Sequence, residues 1–162
     1  MFQIVKCFVD YGVRMALEKY KEKRDFKKTP EPSGDKETKS NKSIYLIHEH
    51  HATHLHWDLR LEMDGVLKSW AIPKEPSTNP SIKRLAVLVE DHPLDYANFE
   101  GVIPEGQYGA GTVKIWDKGT FEMLEKTDKG YVIKINGNKL KGIFVLFKFK
   151  PPKNWLFFKK KE

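Results

Sequence analysis

The stretch LHWDLRLEMDGVLKSWAI, residues 55–72, decides the fold because polar and apolar side chains alternate through its first half. Alternation with a period of two is typical of a β-strand whose two faces meet different surroundings. The dipeptide Asp64–Gly65 is a strong hairpin signal between two such runs. The stretch therefore predicts an antiparallel hairpin. The apolar face of its first strand, which we expect to be buried, carries Leu55, Trp57, Leu59, Leu61 and Met63.

Short apolar runs separated by turn signals continue on both sides of this hairpin. They are IYLI (44–47), RLAVLVE (84–90), GTVKIWD (111–117), TFEML (120–124), YVIKIN (131–136), LKGIFVLFKF (140–149) and NWLFFKK (154–160). Tight turns predicted at Lys118–Gly119 and elsewhere join them, and a long loop is predicted from Asp91 to Gly109. The chain is therefore predicted to be mainly β, with about eight strands in an antiparallel sheet curled into a barrel or sandwich.

The segment before the sheet has a different composition. Residues 15–28 are rich in helix formers, and residues 29–43, TPEPSGDKETKSNKS, have the composition of a linker or an ordered arm. We expect an N-terminal tail, helix and arm over residues 1–42. A single compact domain should then occupy residues 43–162.

The net charge and the cysteine count of the chain favour an anionic partner in a reducing compartment. The formal net charge is +7, which suits nucleic acid first and an acidic membrane surface second. Cys7 is the only cysteine, and no apolar run reaches the roughly 18 residues that a spanning helix needs. A cytoplasmic protein with no membrane partner is the expectation.

The polar face of the first strand is chemically unusual. It carries His54, His56, Asp58, Arg60 and Glu62, directly after a segment that is itself rich in histidine. His56 and Asp58 can bind a divalent metal with a third ligand from the preceding turn, where His48, His50, His51 and His54 are all candidates. Nitrogen and oxygen donors suit Mn²⁺, Zn²⁺ or Fe²⁺. Arg60 offers a planar fork for a phosphate or carboxylate. The alternative to a metal and phosphate site is that these residues form the ordinary solvent-exposed face of the strand.

Three other stretches could carry function. His92 and Tyr96 lie in VEDHPLDYANFEG (89–101), where His92 could donate a proton to a leaving oxygen or be an ordinary surface histidine. The glycine-rich PEGQYGAGT (104–112) lacks a phosphate-loop motif and is predicted to be a tight bend. The lysines and aromatics after residue 139 are interpreted as two core strands with lysine tips outward, although such a mixture can also bind nucleic acid.

Two longer stretches together resemble a known family. HHATHLHWDLRLEMDGVLKSWAIPKEPS (50–77) and KRLAVLVEDHPLDYANFEGVIPEGQYGAGTVKIWDKGTFE (83–122) closely resemble the 3′-phosphoesterase domain of bacterial DNA ligase D and its stand-alone relatives. The likeness extends from about residue 17 to the C-terminus. It implies a small β-barrel with short flanking helices.

The resemblance also implies a Mn²⁺-dependent enzyme, with Zn²⁺ and Co²⁺ as other divalent candidates. Such an enzyme removes a 3′-terminal ribonucleoside and hydrolyses the remaining 3′-phosphate during DNA break repair. Its partners are primer-template or duplex 3′ ends, with a separate ligase and polymerase acting in trans.

Position by position, the resemblance places specific roles on this sequence. The implied metal ligands are His50, His56 and Asp58. The residues around the scissile phosphate are Arg60, His92 and Tyr96. Further substrate-binding residues match Lys74, Arg84, Arg24, Asp25 and Glu31. His51 and His54 depart from the family pattern, and His54 shares the strand face of the ligands.

Two rival functions come from other classes. One is a non-catalytic nucleic-acid-binding module, which would bind DNA tightly and salt-dependently without metal-dependent turnover. The other is a cupin-like metal oxygenase, because double-stranded β-barrels often hold His/Asp metal sites. The oxygenase leaves the +7 charge unexplained.

Overall fold

The computed structural model describes residues 11–36 and 42–162. Residues 11–16 are helical, and a short helix α1 follows at Glu18–Glu22. A 3₁₀ helix lies at Leu94–Asn98. The strands are β1 (Ile44–His51), β2 (Leu55–Met63), β3 (Val66–Ile72), β4 (Arg84–His92), β5 (Gly101–Ile103), β6 (Gly111–Thr127), β7 (Gly130–Asn136), β8 (Lys141–Lys150) and β9 (Asn154–Lys159).

The strands form a closed antiparallel barrel. Eight of them pair in the order β1-β2-β3-β4-β9-β8-β7-β6, and pairing of β6 with β1 closes the ring. The ninth strand, β5, adds to the outside edge of β6. The prediction of a mainly-β, eight-stranded antiparallel barrel with short flanking helices is confirmed, and the barrel is distinguished from a sandwich by its closure.

Strand β6 corrects one predicted turn. Lys118–Gly119 does not separate two strands but lies inside a continuous strand of 17 residues. The first half of β6 pairs with β1 and the second half pairs with β7, so one long strand serves two neighbours. Gly119 lies next to the position where β6 passes from one neighbour to the other. A side chain does not fit there, because a Cβ would collide with the carbonyl of Asn136.

The barrel interior is filled by apolar side chains from all around the ring. On β2, Trp57, Leu59 and Leu61 point into this core as the alternation predicted. Leu55 does not, because it stands at the barrel end and remains 42% exposed. Trp70, Tyr131, Phe144, Trp155 and Phe157 contribute much of the remaining volume.

A second apolar cluster lies on the outside of the barrel wall. Tyr20 of α1 and Tyr96 of the 3₁₀ helix pack there against Leu46 and Leu67. The outer faces of β1, β2 and β3 are consequently covered, and both faces of β2 are buried in its middle. The solvated-face alternative for the polar side of β2 is wrong, because Asp58 is 6% exposed and Arg60 is 3% exposed.

The segment before the barrel is ordered against it where it is described. The Tyr20 hydroxyl donates a hydrogen bond to the Pro32 carbonyl at 2.6 Å, which ties α1 to the chain that follows. Residues 1–10 and 37–41 of the predicted tail and linker lie outside the described residues. The division at residue 42 stays a prediction. Within the described parts of the chain, no helix combines the length and hydropathy needed to cross a bilayer.

Candidate active site

The three predicted metal ligands come from two neighbouring strands in register. His50 on β1 is the direct cross-strand partner of His56 on β2, and Asp58 follows two residues further along β2. Residues two apart on a strand share a face, so all three side chains project from the outer wall of the barrel. His50 was predicted to come from a turn but belongs to β1, which extends to His51.

The donor atoms of these side chains lie close enough to share one ion. His50 Nδ1 is 3.6 Å from one carboxylate oxygen of Asp58, and His56 Nε2 is 3.4 Å from the other. One ligand atom from each residue lies within 4.8 Å of the other two. Two imidazole nitrogens and a carboxylate are a common donor set for divalent transition metals.

Hydrogen bonds to backbone carbonyls hold the two imidazole rings in orientation. His50 Nε2 donates to the Gly109 carbonyl at 2.6 Å, and His56 Nδ1 donates to the His54 carbonyl at 3.0 Å. A carbonyl only accepts, so these nitrogens carry the protons and the other two present lone pairs toward Asp58. Metal-binding histidines typically use their second nitrogen in this way. The residues present therefore fit a metal.

Asp58 is ionised despite its burial. Burial opposes the charged form, but the positive charge of the neighbouring Arg60 outweighs that penalty. The pKa of Asp58 consequently lies well below its usual value. A carboxylate held in the charged form is ready to bind a cation.

The remaining histidines of the cluster have other surroundings. His48 is buried with both nitrogens occupied, one accepting from Arg60 Nε at 3.0 Å and the other donating to the Phe99 carbonyl at 2.9 Å. His51 is exposed and contacts Glu49, while His54 is exposed on the turn after β1. The geometry brings His50, rather than these three, to His56 and Asp58.

Arg60 is fixed beside the ligands by three hydrogen bonds. Its Nε donates to His48, one terminal nitrogen donates to Ser69 Oγ at 2.9 Å, and the other donates to Asp58 at 3.3 Å. Burial and the neighbouring Arg60 charge lower the pKa of His48 to about 3. His48 is therefore a neutral acceptor that can hold the guanidinium without repelling it.

His92 reaches the same face through a β-bulge in β4. Leu67 of β3 pairs with His92 and Ser69 pairs with Val89, so β4 carries one extra residue between these pairs. The bulge turns His92 onto the outer wall, where its Nδ1 donates to the Glu90 carbonyl at 2.9 Å. Burial, Arg60 and Arg24 hold the pKa of His92 well below its usual value. In this state His92 is neutral, with an unprotonated Nε2.

Tyr96 lies beneath Arg60 on the 3₁₀ helix. The Arg60 guanidinium carbon is 4.8 Å from the centre of the Tyr96 ring. The Tyr96 hydroxyl donates to Glu31 at 2.8 Å. Burial raises the pKa of Tyr96 well above its usual value, so the hydroxyl keeps its proton. Tyr96 thus connects the phosphate-binding candidate on β2 to the N-terminal arm.

The arm delivers Arg24 and Glu31 to the site. Arg24 Nε lies 2.9 Å from Glu31, and its terminal nitrogens lie 3.3 Å from Glu90 and 3.4 Å from His92 Nε2. These groups are nearly inaccessible to solvent. Asp25 has a different environment, since its exposed carboxylate accepts from the Lys27 backbone. Of the three predicted arm residues, two are therefore gathered at the site.

Lys74 and Arg84 do not line the cleft around these residues. Lys74 is exposed in the loop after β3. Arg84 shares the inward face of β4 with Ala86 at one end of the barrel, and its Nε donates to the Glu75 carbonyl at 2.7 Å. Their role in substrate binding stays a prediction.

The cleft also contains residues that the sequence did not single out. A cavity of about 300 Å³ opens over His50, Asp58, Arg60, His92 and Arg24, and its further lining includes Glu90, Tyr108 and Gly109. The loop containing Tyr108 and Gly109 was predicted to be only a tight bend. Its run of glycines was the available signal, since Gly109 has a φ of +75° and its carbonyl holds His50.

Comparisons with known proteins identify a family to which the chain is similar. Residues 48–148 match the family described as the DNA ligase D 3′-phosphoesterase domain. The multifunctional non-homologous end joining protein LigD of Pseudomonas aeruginosa is 53% identical over 133 residues, which is 78% of this chain and 16% of that protein. The proteins of the same name from Mycobacterium bovis and Mycolicibacterium smegmatis are 43% and 42% identical, over 86% and 94% of this chain. The chain spans 19% and 22% of those two proteins.

Proposed function

The chain belongs to the DNA ligase D 3′-phosphoesterase domain family, and we propose that it is a metal-dependent phosphoesterase that heals DNA 3′ ends during break repair. In the first reaction, water cleaves the bond between the scissile phosphorus and the 5′-oxygen of a 3′-terminal ribonucleoside. The nucleoside leaves, and the primer keeps a 3′-phosphate. In the second reaction, water releases that phosphate and leaves a 3′-hydroxyl.

One observation carries this proposal. Two imidazole lone pairs, an ionised carboxylate and a buried guanidinium converge in a single cleft. A site for phosphoryl transfer needs a cation and hydrogen-bond donors where negative charge accumulates. A site that only binds nucleic acid does not need three preoriented metal donors.

His50, His56 and Asp58 are the residues that would hold the metal. Bound there, a divalent ion such as Mn²⁺ supplies Lewis-acid polarisation of a phosphoryl oxygen and lowers the pKa of bound water. The donor types suit Zn²⁺ and Co²⁺ as well, so the choice of Mn²⁺ rests on the family resemblance.

Arg60 is suited to bind the phosphate itself. A guanidinium has five N–H donors, and the contacts with His48, Ser69 and Asp58 use three of them. The two remaining donors are on its terminal nitrogens, which can contact a phosphate oxygen at the cleft. Because Arg60 is buried, its charge is poorly screened and stabilises the extra negative charge of the transition state.

His92 is the group suited to move a proton. Its Nε2 is unprotonated because burial, Arg60 and Arg24 suppress the charged form of the ring, and the remaining proton lies on Nδ1, which donates to the Glu90 carbonyl. A phosphate entering beside it adds negative charge, which raises the pKa of an imidazole. His92 can then take up a proton at Nε2 and donate it to the departing oxygen. Tyr96 supports the phosphate site by packing its ring under Arg60.

The proposed substrates are primer-template or duplex DNA ends, including ends with one 3′ ribonucleotide. The formal net charge of +7 favours attachment to the DNA backbone. A separate ligase and polymerase acting in trans would use the 3′-hydroxyl that the reactions produce.

The test is incubation with a labelled primer-template that ends in one 3′ ribonucleotide, with and without Mn²⁺, followed by analysis of the end groups. We expect Mn²⁺-dependent conversion to a primer with a 3′-phosphate and then to one with a 3′-hydroxyl. Tight, salt-sensitive binding without turnover would instead support a non-catalytic DNA-binding module. Release of a 5′-nucleotide, which leaves no 3′-phosphate intermediate, would contradict the proposed first reaction.

A further inference from the structure

Tyr108 combines a position in the catalytic cleft with an exposed aromatic ring. It lines the same cavity as His50, Asp58 and Arg60, yet it is 47% exposed. The other tyrosine that lines this cavity, Tyr96, is buried. Tyr108 is therefore a flat, accessible surface at the rim of the proposed reaction centre.

The loop that carries Tyr108 is fixed relative to the metal ligands. Gly106 and Gly109, on either side, have positive φ angles of +86° and +75°, which glycine adopts without strain. Two tight turns brace the loop, with Gln107 N donating to the Pro104 carbonyl and Ala110 N donating to the Gln107 carbonyl, each at 3.1 Å. Gly109, the residue after Tyr108, accepts the hydrogen bond from His50. The Tyr108 ring is thus one residue away from the contact that orients His50, one of the proposed metal ligands.

Two cations of the arm lie beside the ring. Lys23 Nζ is 3.4 Å from the Tyr108 hydroxyl and 4.8 Å from the ring centre, and the Arg24 guanidinium carbon is 5.3 Å from it. They leave nearly half of Tyr108 accessible. An aromatic surface next to cations is the combination that receives an unstacked nucleobase beside its phosphate.

We propose that Tyr108 is a substrate-binding residue that stacks on the base of the 3′-terminal nucleoside, the group removed in the first reaction. This inference rests on the proposed function, and it adds a requirement for a base on the leaving nucleoside. A terminal nucleotide can leave the duplex stack at low cost, particularly when it is unpaired. Stacking on Tyr108 would hold that nucleoside while its 5′-phosphate lies at Arg60 and the metal ligands.

The experiment pairs a change in the protein with a change in the substrate. Two primer-templates are used, one ending in a 3′ adenosine ribonucleotide and one ending in the same ribose phosphate without its base. The proteins are wild type, Tyr108→Ala, Tyr108→Phe and, as a control, Phe147→Ala. Phe147 is similarly exposed at 42% but does not line the cleft. Thermal unfolding checks that each variant is folded.

We expect wild type, Tyr108→Phe and Phe147→Ala to prefer the base-bearing end over the abasic end by roughly 5- to 150-fold in kcat/KM. Tyr108→Ala should lose most of that preference, because the preference depends on stacking between the Tyr108 ring and the base. A ring that only positions Arg24 would give an equal loss on both ends and an unchanged preference.

Three results would overturn the inference. They are no base preference in wild type, an undiminished preference in Tyr108→Ala, and a Tyr108→Phe variant as defective as Tyr108→Ala. In each case wild-type turnover of the base-bearing end would leave the proposed function standing. If wild type turns over neither end with Mn²⁺ present, the proposed function fails together with the inference.

Discussion

His50 and His56 are direct cross-strand partners of the β1–β2 ladder, and their ring centres lie 4.7 Å apart. Their position is set by backbone pairing in a closed barrel rather than by a flexible turn. Asp58 completes the set from the same face of β2. A site built on paired strands holds its geometry better than one built on loops. The consequences of this arrangement can be tested residue by residue.

Replacement of Arg60 by lysine should strongly impair turnover although the positive charge is kept. Lysine cannot reproduce the planar set of donors that now contacts His48, Ser69 and Asp58. We expect kcat to fall by about 10²- to 10³-fold on both the ribonucleotide and the 3′-phosphate ends. Wild-type rates for Arg60→Lys, measured on a folded variant, would exclude Arg60 from phosphate binding.

His48 should make the stability of the fold sensitive to acid. Its pKa in the folded protein is about 3, whereas an ordinary histidine in an unfolded chain has a pKa of about 6.5. Between these two pH values the unfolded chain binds a proton that the folded chain does not. The free energy of unfolding therefore falls as the pH drops below about 6.5, by about 1.4 kcal/mol per pH unit from this residue.

His48→Gln is the matched variant for this prediction. An amide can accept from Arg60 and donate to the Phe99 carbonyl without titrating. Urea unfolding at pH 7 and pH 5, in the presence of a chelator, should show wild type losing more stability than His48→Gln. Equal losses in the two proteins would mean that His48 is not held neutral in the fold.

Glu31 should matter more for removal of the ribonucleoside than for hydrolysis of the 3′-phosphate. Its carboxylate accepts hydrogen bonds from Arg24, Tyr96 and Thr29 and so fixes the arm over the cleft. We expect the longer substrate to need those additional contacts, whereas a terminal phosphate should need mainly the proposed metal ligands, Arg60 and His92. Glu31→Gln should lower ribonucleoside removal by about tenfold or more, since a charge-assisted hydrogen bond contributes about 1.5–3 kcal/mol.

Asp35→Asn is the control for Glu31→Gln, because Asp35 is an exposed acid of the same arm that contacts only Lys21 and Ser33 among the described residues. Both reactions are followed on end-labelled duplexes. An equal effect of Glu31→Gln on the two reactions would place the arm in the shared chemistry instead.

The sequence predicts the barrel wall and the strand face of the candidate metal site better than it predicts what covers them. Alternation on β2 identified Trp57, Leu59 and Leu61 as core and separated Asp58 and Arg60 onto the other face. Strand β5 was missed because three residues in a Gly/Pro-rich loop leave no periodic signal.

Burial of the polar face was not predictable from local pattern. It depends on contacts between residues far apart in the chain, such as that of Arg24 with Glu90 and that of Tyr96 with Glu31. The bulge that turns His92 onto the outer wall also leaves no sequence signal of its own. The identity of His50 as the third ligand came from the family resemblance, since spacing alone left four histidines as candidates.

Trp57 and His56 are neighbours with opposite roles, and their alanine variants should separate stability from activity. Trp57 is buried in the barrel core, so Trp57→Ala should reduce the free energy of unfolding by about 3–5 kcal/mol. His56 projects from the outer wall, and His56→Ala should abolish turnover with a much smaller change in stability. Denaturant unfolding measures the first effect and the two end-labelled assays measure the second. A large loss of stability in His56→Ala would show that the ring is mainly structural.

The most direct test of the central claim is a Mn²⁺ titration followed by electron paramagnetic resonance of the free ion, for wild type and Asp58→Ala. Asp58 is the carboxylate on which both ligand histidines converge, at 3.6 Å and 3.4 Å. We predict that wild type binds one Mn²⁺ per chain and that Asp58→Ala loses that binding. Thermal unfolding checks that the variant is folded. Equal binding of Mn²⁺ by the two proteins would contradict the assignment of His50, His56 and Asp58 as the metal site.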